Sequence, residues 1–463
     1  MKPFDEELVS GSITRSVWKL AWPMVALNLV NGLHGLVDHI LVGNFVVSED
    51  KAANAAIGVA WQLFLVIVVL ISSLYHGMSV LVARYAGKQD RETLSHVAYH
   101  TFLSSVIILA VLAPFGYLLT PRLLGVVNAT PEVIAHARPY MRILFVLGMP
   151  LFLMFMLTGA MQASGDPRTP LVLGILATLL NIVLSAVLIT GLGPIPKLGA
   201  TGAALATCLA PLVSVLIALR LIMQHKLIIQ PPRRLLVMPD LSVLRVVARI
   251  GLPTGLGAVV LNLGGVFLLR YIGSLEHSAA AQAAFTICYA QLFSIVQRLS
   301  WGLRNAASTM IGQNIGAGNL ARGKKGVHVA ALFGAVCAFG MGMLYWWFSY
   351  GLMGFFGATE GPVVDFGTSL LRYLAVSGVF LASALGYTGG LIGAGETRKP
   401  TYIAFVTQII VLLGLCQIWS SMGRLSTDAI WIFILVSHAA RLALTFIVFQ
   451  RGRWARIKVE IRH

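Results

Sequence analysis

The chain repeats itself at one fixed spacing. Pro23, in KLAWPMVALNLV, recurs 230 residues later as Pro253, in RIGLPTGLGAVV. Gly43 recurs as Gly273, and Arg142 as Arg372. SGDPRTP (Ser164 to Pro170) recurs as AGETRKP (Ala394 to Pro400), with Gly165/Gly395, Arg168/Arg398 and Pro170/Pro400 in the same register. A register this steady across half a chain defines two copies of one structural unit. Each copy is mostly apolar, so the sequence predicts two pseudo-equivalent membrane lobes. Alternating access between such lobes is a transporter design.

The apolar character is quantitative. Of 463 residues, 57% are hydrophobic and 11% charged, where a soluble domain carries about 25% charged residues. That leaves too little polar surface to coat a globule of this size. Runs long enough to cross a bilayer recur near 17–43, 53–85, 94–119, 133–163, 168–191, 199–224, 243–273, 280–315, 326–350, 363–393, 401–420 and 427–450. The expected fold is an all-α integral membrane protein of twelve transmembrane helices in two six-helix, pseudo-symmetric lobes. An even count per copy gives both lobes one orientation, with the symmetry axis along the membrane normal. The boundaries follow: an N-terminal lobe 1–222, a linker 223–242, a C-terminal lobe 243–450 and a basic tail 451–463.

The net charge of +17 could suggest nucleic acid, but its distribution argues against that. Lys and Arg fall in alternate loops: Lys2, Arg15 and Lys19; Arg84, Lys88 and Arg91; Lys226, Arg233 and Arg234; Arg322, Lys324 and Lys325; Arg451 through Arg462. The opposite loops hold only Lys51, Arg122, Arg138, Lys197 and Arg424. Positive loops mark the cytoplasmic side, so both termini are expected inside. Attraction to anionic lipid accounts for the basic tail. No nucleic-acid partner is expected. The four cysteines, Cys208, Cys288, Cys337 and Cys416, lie scattered in apolar runs and form no metal-type pair. The polar opening, MKPFDEELVSGSITRS, has no short apolar core of a cleavable signal.

Certain motifs read as helix punctuation. Gly165 and Gly395 suit a left-handed stop. Asp166 and Glu396 suit the positive start of the next helix, and Pro167 its first turn. Gly87 and Gly316 close the second helix of each copy. GQNIGAGN resembles a phosphate cradle only superficially: no strand precedes it and the P-loop lysine is absent.

Charge inside a span is expensive and marks function by default. Asp38, in NLVNGLHGLVDHILVG, stands well inside the first span, and its repeat counterpart is Leu268. One copy therefore carries a carboxylate that the fold does not require. His34 precedes it by four residues on the same helical face, and Asn31 by seven. Low dielectric disfavours the ionised form of a carboxylate, while a nearby cation favours it. Such a group can hold a proton or a cationic substrate, but not both, and that exclusion is enough for antiport. Imidazoles at His34 or His39 titrate near neutrality and could tune it. Further polar groups within spans are His76, Asn181, Ser185, Thr207, Gln291, Gln297, Arg298, Arg304 and His438. Arg142 and Arg372, a repeat pair, read as structural. Phe293, with Trp61 and Phe64, is a candidate for lining a substrate cavity beside Asn31, Gln297 and Arg298.

The sequence resembles the multidrug and toxic compound extrusion (MATE) family, bacterial type, along its whole length. The resemblance rests on GLVDHILVG, SGDPRTP, NIVLSAVLI, GATGAALAT, NAASTMIGQNIGAGN and GAGETRKPT, in that order and spacing. It implies lobes forming a V around a central cavity that opens alternately to each side. It implies export of small organic cations from the bacterial cytoplasmic membrane, driven by protons or sodium, with no other cofactor. Bacterial members hold the coupling site in the first lobe, on an aspartate matching Asp38, an asparagine matching Asn181 and a threonine matching Thr207. A second family aspartate is replaced here by Ser185, which weakens a sodium site and favours protons. A subgroup with a coupling glutamate in helix 7 is not matched: the stretch set against it, YAQLFSIVQRLSWGLRN, has no acid.

The related alternative is a lipid-linked oligosaccharide flippase, whose pyrophosphate would meet Arg298 or Arg304. An intramembrane enzyme would need a third orienting group beside Asp38 and His34. A channel would need a filter motif that neither copy has. A monomer is the default state.

Overall fold

A computed structural model describes residues 2–45, 51–126, 131–191, 196–232, 238–457, 459 and 461; side chains at 33–45, 51–57, 59, 61–63, 65–66 and 126 lie outside that description. Among the described residues every regular element is helical. In chain order these are α1 (Glu7–Ser10), α2 (Ile13–Phe45), α3 (Lys51–Gly87), α4 (Arg91–Val126), α5 (Pro131–Leu147), α6 (Met149–Ala163), α7 (Arg168–Thr190), α8 (Ala200–Met223) and α9 (Leu241–Gly273). The second copy continues with α10 (Ser278–Phe285), α11 (Phe293–Gly316), α12 (Leu320–Trp347), α13 (Ser349–Phe355), α14 (Pro362–Gly393), α15 (Arg398–Phe405), α16 (Gly414–Ser421) and α17 (Thr427–Gln450). A helix is the one open-chain element that satisfies all its backbone polar groups in hydrocarbon.

Ten spans among the described residues are long and apolar enough to cross a membrane. The pair α5 and α6, bent by 49° at Gly148, makes an eleventh. The first apolar run forms α2, which completes the twelve expected. Two spans are continuous only through wide π-helical turns. Thr286–Leu292 joins α10 to α11, and Val406–Leu413 joins α15 to α16. Such turns displace carbonyls from their usual partners. Side chains meet some of them: Tyr345 donates to the Leu292 carbonyl at 2.7 Å, and Ser437 to that of Thr407 at 2.8 Å.

The chain groups into two compact units. Unit 1 comprises Met1–Asp5, Leu29–Leu252 and Glu460–His463; unit 2 comprises Glu6–Asn28 and Pro253–Val459. The first halves of α2 and α9 are thus exchanged. In unit 1, α9 lies backbone-to-backbone on α3. A Cβ on Gly251 would stand 1.7 Å from the Ser73 carbonyl oxygen, and one on Gly77 2.1 Å from that of Val247. In unit 2, α2 lies on α11 in the same manner, with a Cβ on Gly302 reaching 2.6 Å from the Val25 backbone. Small residues allow this approach where lipid supplies no hydrophobic drive between helices.

The core of unit 2 has two clusters. One gathers Phe285, Phe293, Tyr345 and Trp431. The other gathers Leu8, Met24, Met310, Phe449 and Trp454. In unit 1, Phe64 packs on Phe145 and Phe152 beside the Gly148 bend. Cys208, Cys288 and Cys416 are buried, whereas Cys337 is exposed.

The punctuation motifs act as expected. Gly165 and Gly395 adopt φ of 97° and 88°. Asp166 accepts the Thr169 hydroxyl at 2.8 Å and pairs with Lys2 at 2.7 Å. Glu396 pairs with Lys399 at 3.1 Å. GQNIGAGN closes α11 and turns into α12 through Gly318 at φ 80°, with Asn319 N–H bonded to the Asn314 carbonyl. It is a helix–helix turn. Asp240, at the end of the linker, caps α9 through Ser242 and accepts from His96 at 3.0 Å. The Ser242 hydroxyl, aided by His96, holds its carboxyl well below the usual carboxylate range against the opposing effect of burial.

The α3–α9 approach yields the first prediction. Gly251→Leu places a side chain where a carbonyl stands, and overpacking of this kind costs about 1–3 kcal/mol. Thermal unfolding in detergent should shift down by several degrees. Gly340→Leu, with nothing within 4 Å of its Cβ, should leave it unchanged.

Candidate functional sites

Unit 1 brings three expected polar residues together. Helices α7 and α8 run antiparallel and are pinned at two levels. A Cβ on Gly202 would lie 2.6 Å from the Leu188 carbonyl oxygen, so glycine in GATGAALAT lets the backbones touch. Towards the other end, Ser214 donates to the Leu173 carbonyl at 2.9 Å. These contacts fix a register that sets Asn181 and Thr207 at one level. Ser185 follows one turn along the Asn181 face. Asn181 and Ser185 are fully buried and Thr207 nearly so. Thr207 donates to the Ala203 carbonyl at 2.9 Å, and all three make further interactions. The result is an uncharged, oxygen-rich seam between two apolar helices.

Asp38 and His34 lie on the second half of α2, which groups with unit 1. Their side chains, like that of His39, lie outside the described residues. Asn31, just before them, is exposed. Phe64, a cavity candidate, is buried in the ring cluster at the α5–α6 bend; the Trp61 side chain lies outside the described residues.

His76, on α3 in unit 1, is half-buried; unit 2 holds the remaining candidates on the π-helical turn, α11 and α17. Gln297 and Arg298 are half-buried, and Gln291 is exposed. Phe293 is fully buried in apolar core, 5.3 Å from the Tyr289 ring and 6.0 Å from that of His438. It presents no surface to a cavity in this structure. His438 shares a hydrogen bond with Ser377 through Nδ1. The stretch Tyr289–Asn305 belongs to the eighth span, not the seventh. The seventh, α9, also carries no acid, so the absence of a helix 7 carboxylate holds on the corrected stretch.

One residue was missed at the level of sequence. Arg441, in LVSHAARLALTF, is a charge inside an apolar run and meets the criterion that singled out Asp38. It stands on α17 one turn beyond His438 and is half-buried. The repeat pair Arg142 and Arg372 divides: Arg142 lies over the Tyr117 ring at 4.3 Å, and Arg372 is exposed. No group of three or more metal-ligating side chains occurs among the described residues.

Twelve spans in two repeated sets, with isolated polar groups in otherwise apolar helices, define a multi-pass membrane transporter rather than an enzyme. The MatE family model matches twice, over residues 23–187 and 253–416, so its two copies begin at the paired prolines. The chain belongs to the MatE family.

Among its relatives, the probable multidrug resistance protein YoeA of Bacillus subtilis is 25% identical, with 97% of each chain covered. The FAD transporter of Shewanella oneidensis is 27% identical over 70% of each chain. A solved MOP superfamily transporter from Pyrococcus furiosus, described as having a binding pocket of reversed polarity, superposes with a TM-score of 0.88 at 22% identity, covering 97% of this chain and 98% of that one.

The seam generates a second prediction. Ser185→Asp adds a carboxylate one turn from Asn181. A sodium gradient should then stimulate transport in proteoliposomes more strongly than it does with the native chain.

Proposed function

We propose that this chain exports small amphiphilic organic molecules across the bacterial cytoplasmic membrane, as a monomer with both termini inside, in exchange for protons. The observation that carries the reading is the buried Asn181–Ser185–Thr207 seam in unit 1. It supplies oxygens without a carboxylate of its own, so the acid of the first span, Asp38, is left as the titrating group. A proton needs only that one acid. A sodium ion would need several charged or strongly polar oxygens to offset its lost hydration, and the hydroxyl of Ser185 is a weak substitute for a carboxylate.

A cationic amphiphile is the cargo that competes with a proton at one carboxylate. The names of several relatives as multidrug resistance proteins support export of such compounds. The alternate basic loops support the orientation. A second reading, a flippase for a lipid-linked oligosaccharide, draws on the cations of unit 2, Arg298 and Arg304. The FAD transporter among the relatives carries a diphosphate cargo of comparable charge.

In proteoliposomes, a pH gradient should drive accumulation of rhodamine 6G, a sodium gradient alone should not, and Asp38→Asn should abolish the response. Native rates in Asp38→Asn with the gradient still required would remove Asp38 from the mechanism.

A further inference from the structure

The start of the basic tail is folded onto unit 2. The chain leaves α17, turns at Gly452 with φ of 66°, and enters a 3₁₀ turn over Arg453–Arg456. Trp454 fastens that turn. Its ring is fully buried and stacks on Phe449 at 5.0 Å, and its indole N–H donates to the Phe449 carbonyl at 2.8 Å. Ala455 and Ile457 pack on the same apolar cluster. A buried tryptophan with its N–H satisfied is an anchor, so the backbone that carries the neighbouring arginines is fixed.

Cations gather around the anchor. Side chains three apart eclipse in a 3₁₀ turn, which sets Arg453 and Arg456 on one side of it, and both are exposed. Arg451, also exposed, precedes Gly452. Lys324 comes from α12. Its ammonium lies over the Trp454 ring at 5.5 Å and would stand 3.5 Å from a Cβ on Gly452. That places it at the turn between Arg451 and Arg453. Among the described residues none of these cations pairs with a carboxylate: Glu7 is held by Arg15 and Lys19, and Glu396 by Lys399. Like charges so gathered repel one another, and the fold supplies them with no counter-ion.

Their position selects the partner. Ile447 is exposed, as are Ile432, Val436 and Phe446, and Arg451 follows Ile447 by one turn on the same face of α17. That apolar stripe faces acyl chains, and Arg451 stands where it ends, at the depth of the headgroups. In the orientation read above, this end of α17 meets the cytoplasmic leaflet, which carries anionic lipid. A guanidinium fork matches phosphate oxygens. We propose that Lys324, Arg451, Arg453 and Arg456 form a seat for the phosphate of an anionic phospholipid whose chains lie along α17. The seat is a folded site that discriminates between headgroups, beyond the diffuse attraction of a basic tail. It rests on that orientation and not on the coupling ion or the cargo.

The test is lipid retention by the full-length protein in neutral detergent, followed by native mass spectrometry. Dioleoylphosphatidylglycerol is titrated in, with dioleoylphosphatidylcholine as the zwitterionic comparison. Phosphatidylglycerol should bind saturably and more tightly. Arg453→Gln and Arg456→Gln should each weaken it about tenfold, the loss of one charge-assisted contact, and Arg453→Lys should recover part of the loss. Both side chains are exposed, so folding is not at stake. Lys226→Gln removes an exposed cation from a basic loop of unit 1 and should leave binding unchanged.

The soluble compound sn-glycerol 3-phosphate carries the phosphate without the chains and should not displace the lipid at equal concentration. Displacement would assign the seat to a soluble anion and overturn the inference. So would equal retention of the two lipids, or equal losses in Arg453→Gln and Lys226→Gln. Uptake of rhodamine 6G driven by a pH gradient would survive each of those outcomes, so the two proposals fail separately.

Discussion

The intolerance of hydrocarbon for unpaired polar groups governs this molecule. It forces the backbone into helices, and it forces polar side chains either to bond locally or to face a wet space. Most hydroxyls comply by bonding a carbonyl one turn back, as Thr101, Ser105 and Ser300 do. The few groups with more to offer are sorted unequally between the copies. Unit 1 holds the neutral seam of Asn181, Ser185 and Thr207 and groups with the helix half that carries Asp38. Unit 2 has Val411, Leu415 and Ser437 at the repeat positions of Asn181, Ser185 and Thr207, the first two within or beside a π-helical turn, and places Arg441 on α17. The two copies thus share a fold but not their polar chemistry.

Close backbone packing is the second consequence. Without a hydrophobic drive between helices, cohesion comes from contact, and glycine gives the closest contact. Gly77 and Gly251 do this in unit 1, Gly302 in unit 2, and Gly202 between α7 and α8. The last has a functional effect. It sets the register that brings Thr207 level with Asn181, so a packing glycine on α8 positions a polar residue one and a half turns away.

The sequence made the repeat, the spans and the turns legible because each depends on local pattern. Proline and glycine at fixed spacing, apolar run length and basic loops need no knowledge of neighbours. The exchange of the first halves of α2 and α9 was not legible. Both halves carry similar apolar faces, and only three-dimensional packing decides which copy each meets. The π-helical turns left no residue signature. Phe293 read as a cavity residue because an aromatic in a span can face cavity, core or lipid, and it is core. Arg441 could have been found by asking the question that found Asp38.

The most direct test of the central claim, that proton and cationic cargo exclude one another at Asp38, is proton release on binding. Rhodamine 6G is added to the purified transporter in weakly buffered detergent solution with a pH-sensitive dye. Mutual exclusion predicts proton release that rises in proportion to cargo bound and disappears in Asp38→Asn. Binding without release by the native chain, or release that persists in the variant, would contradict it.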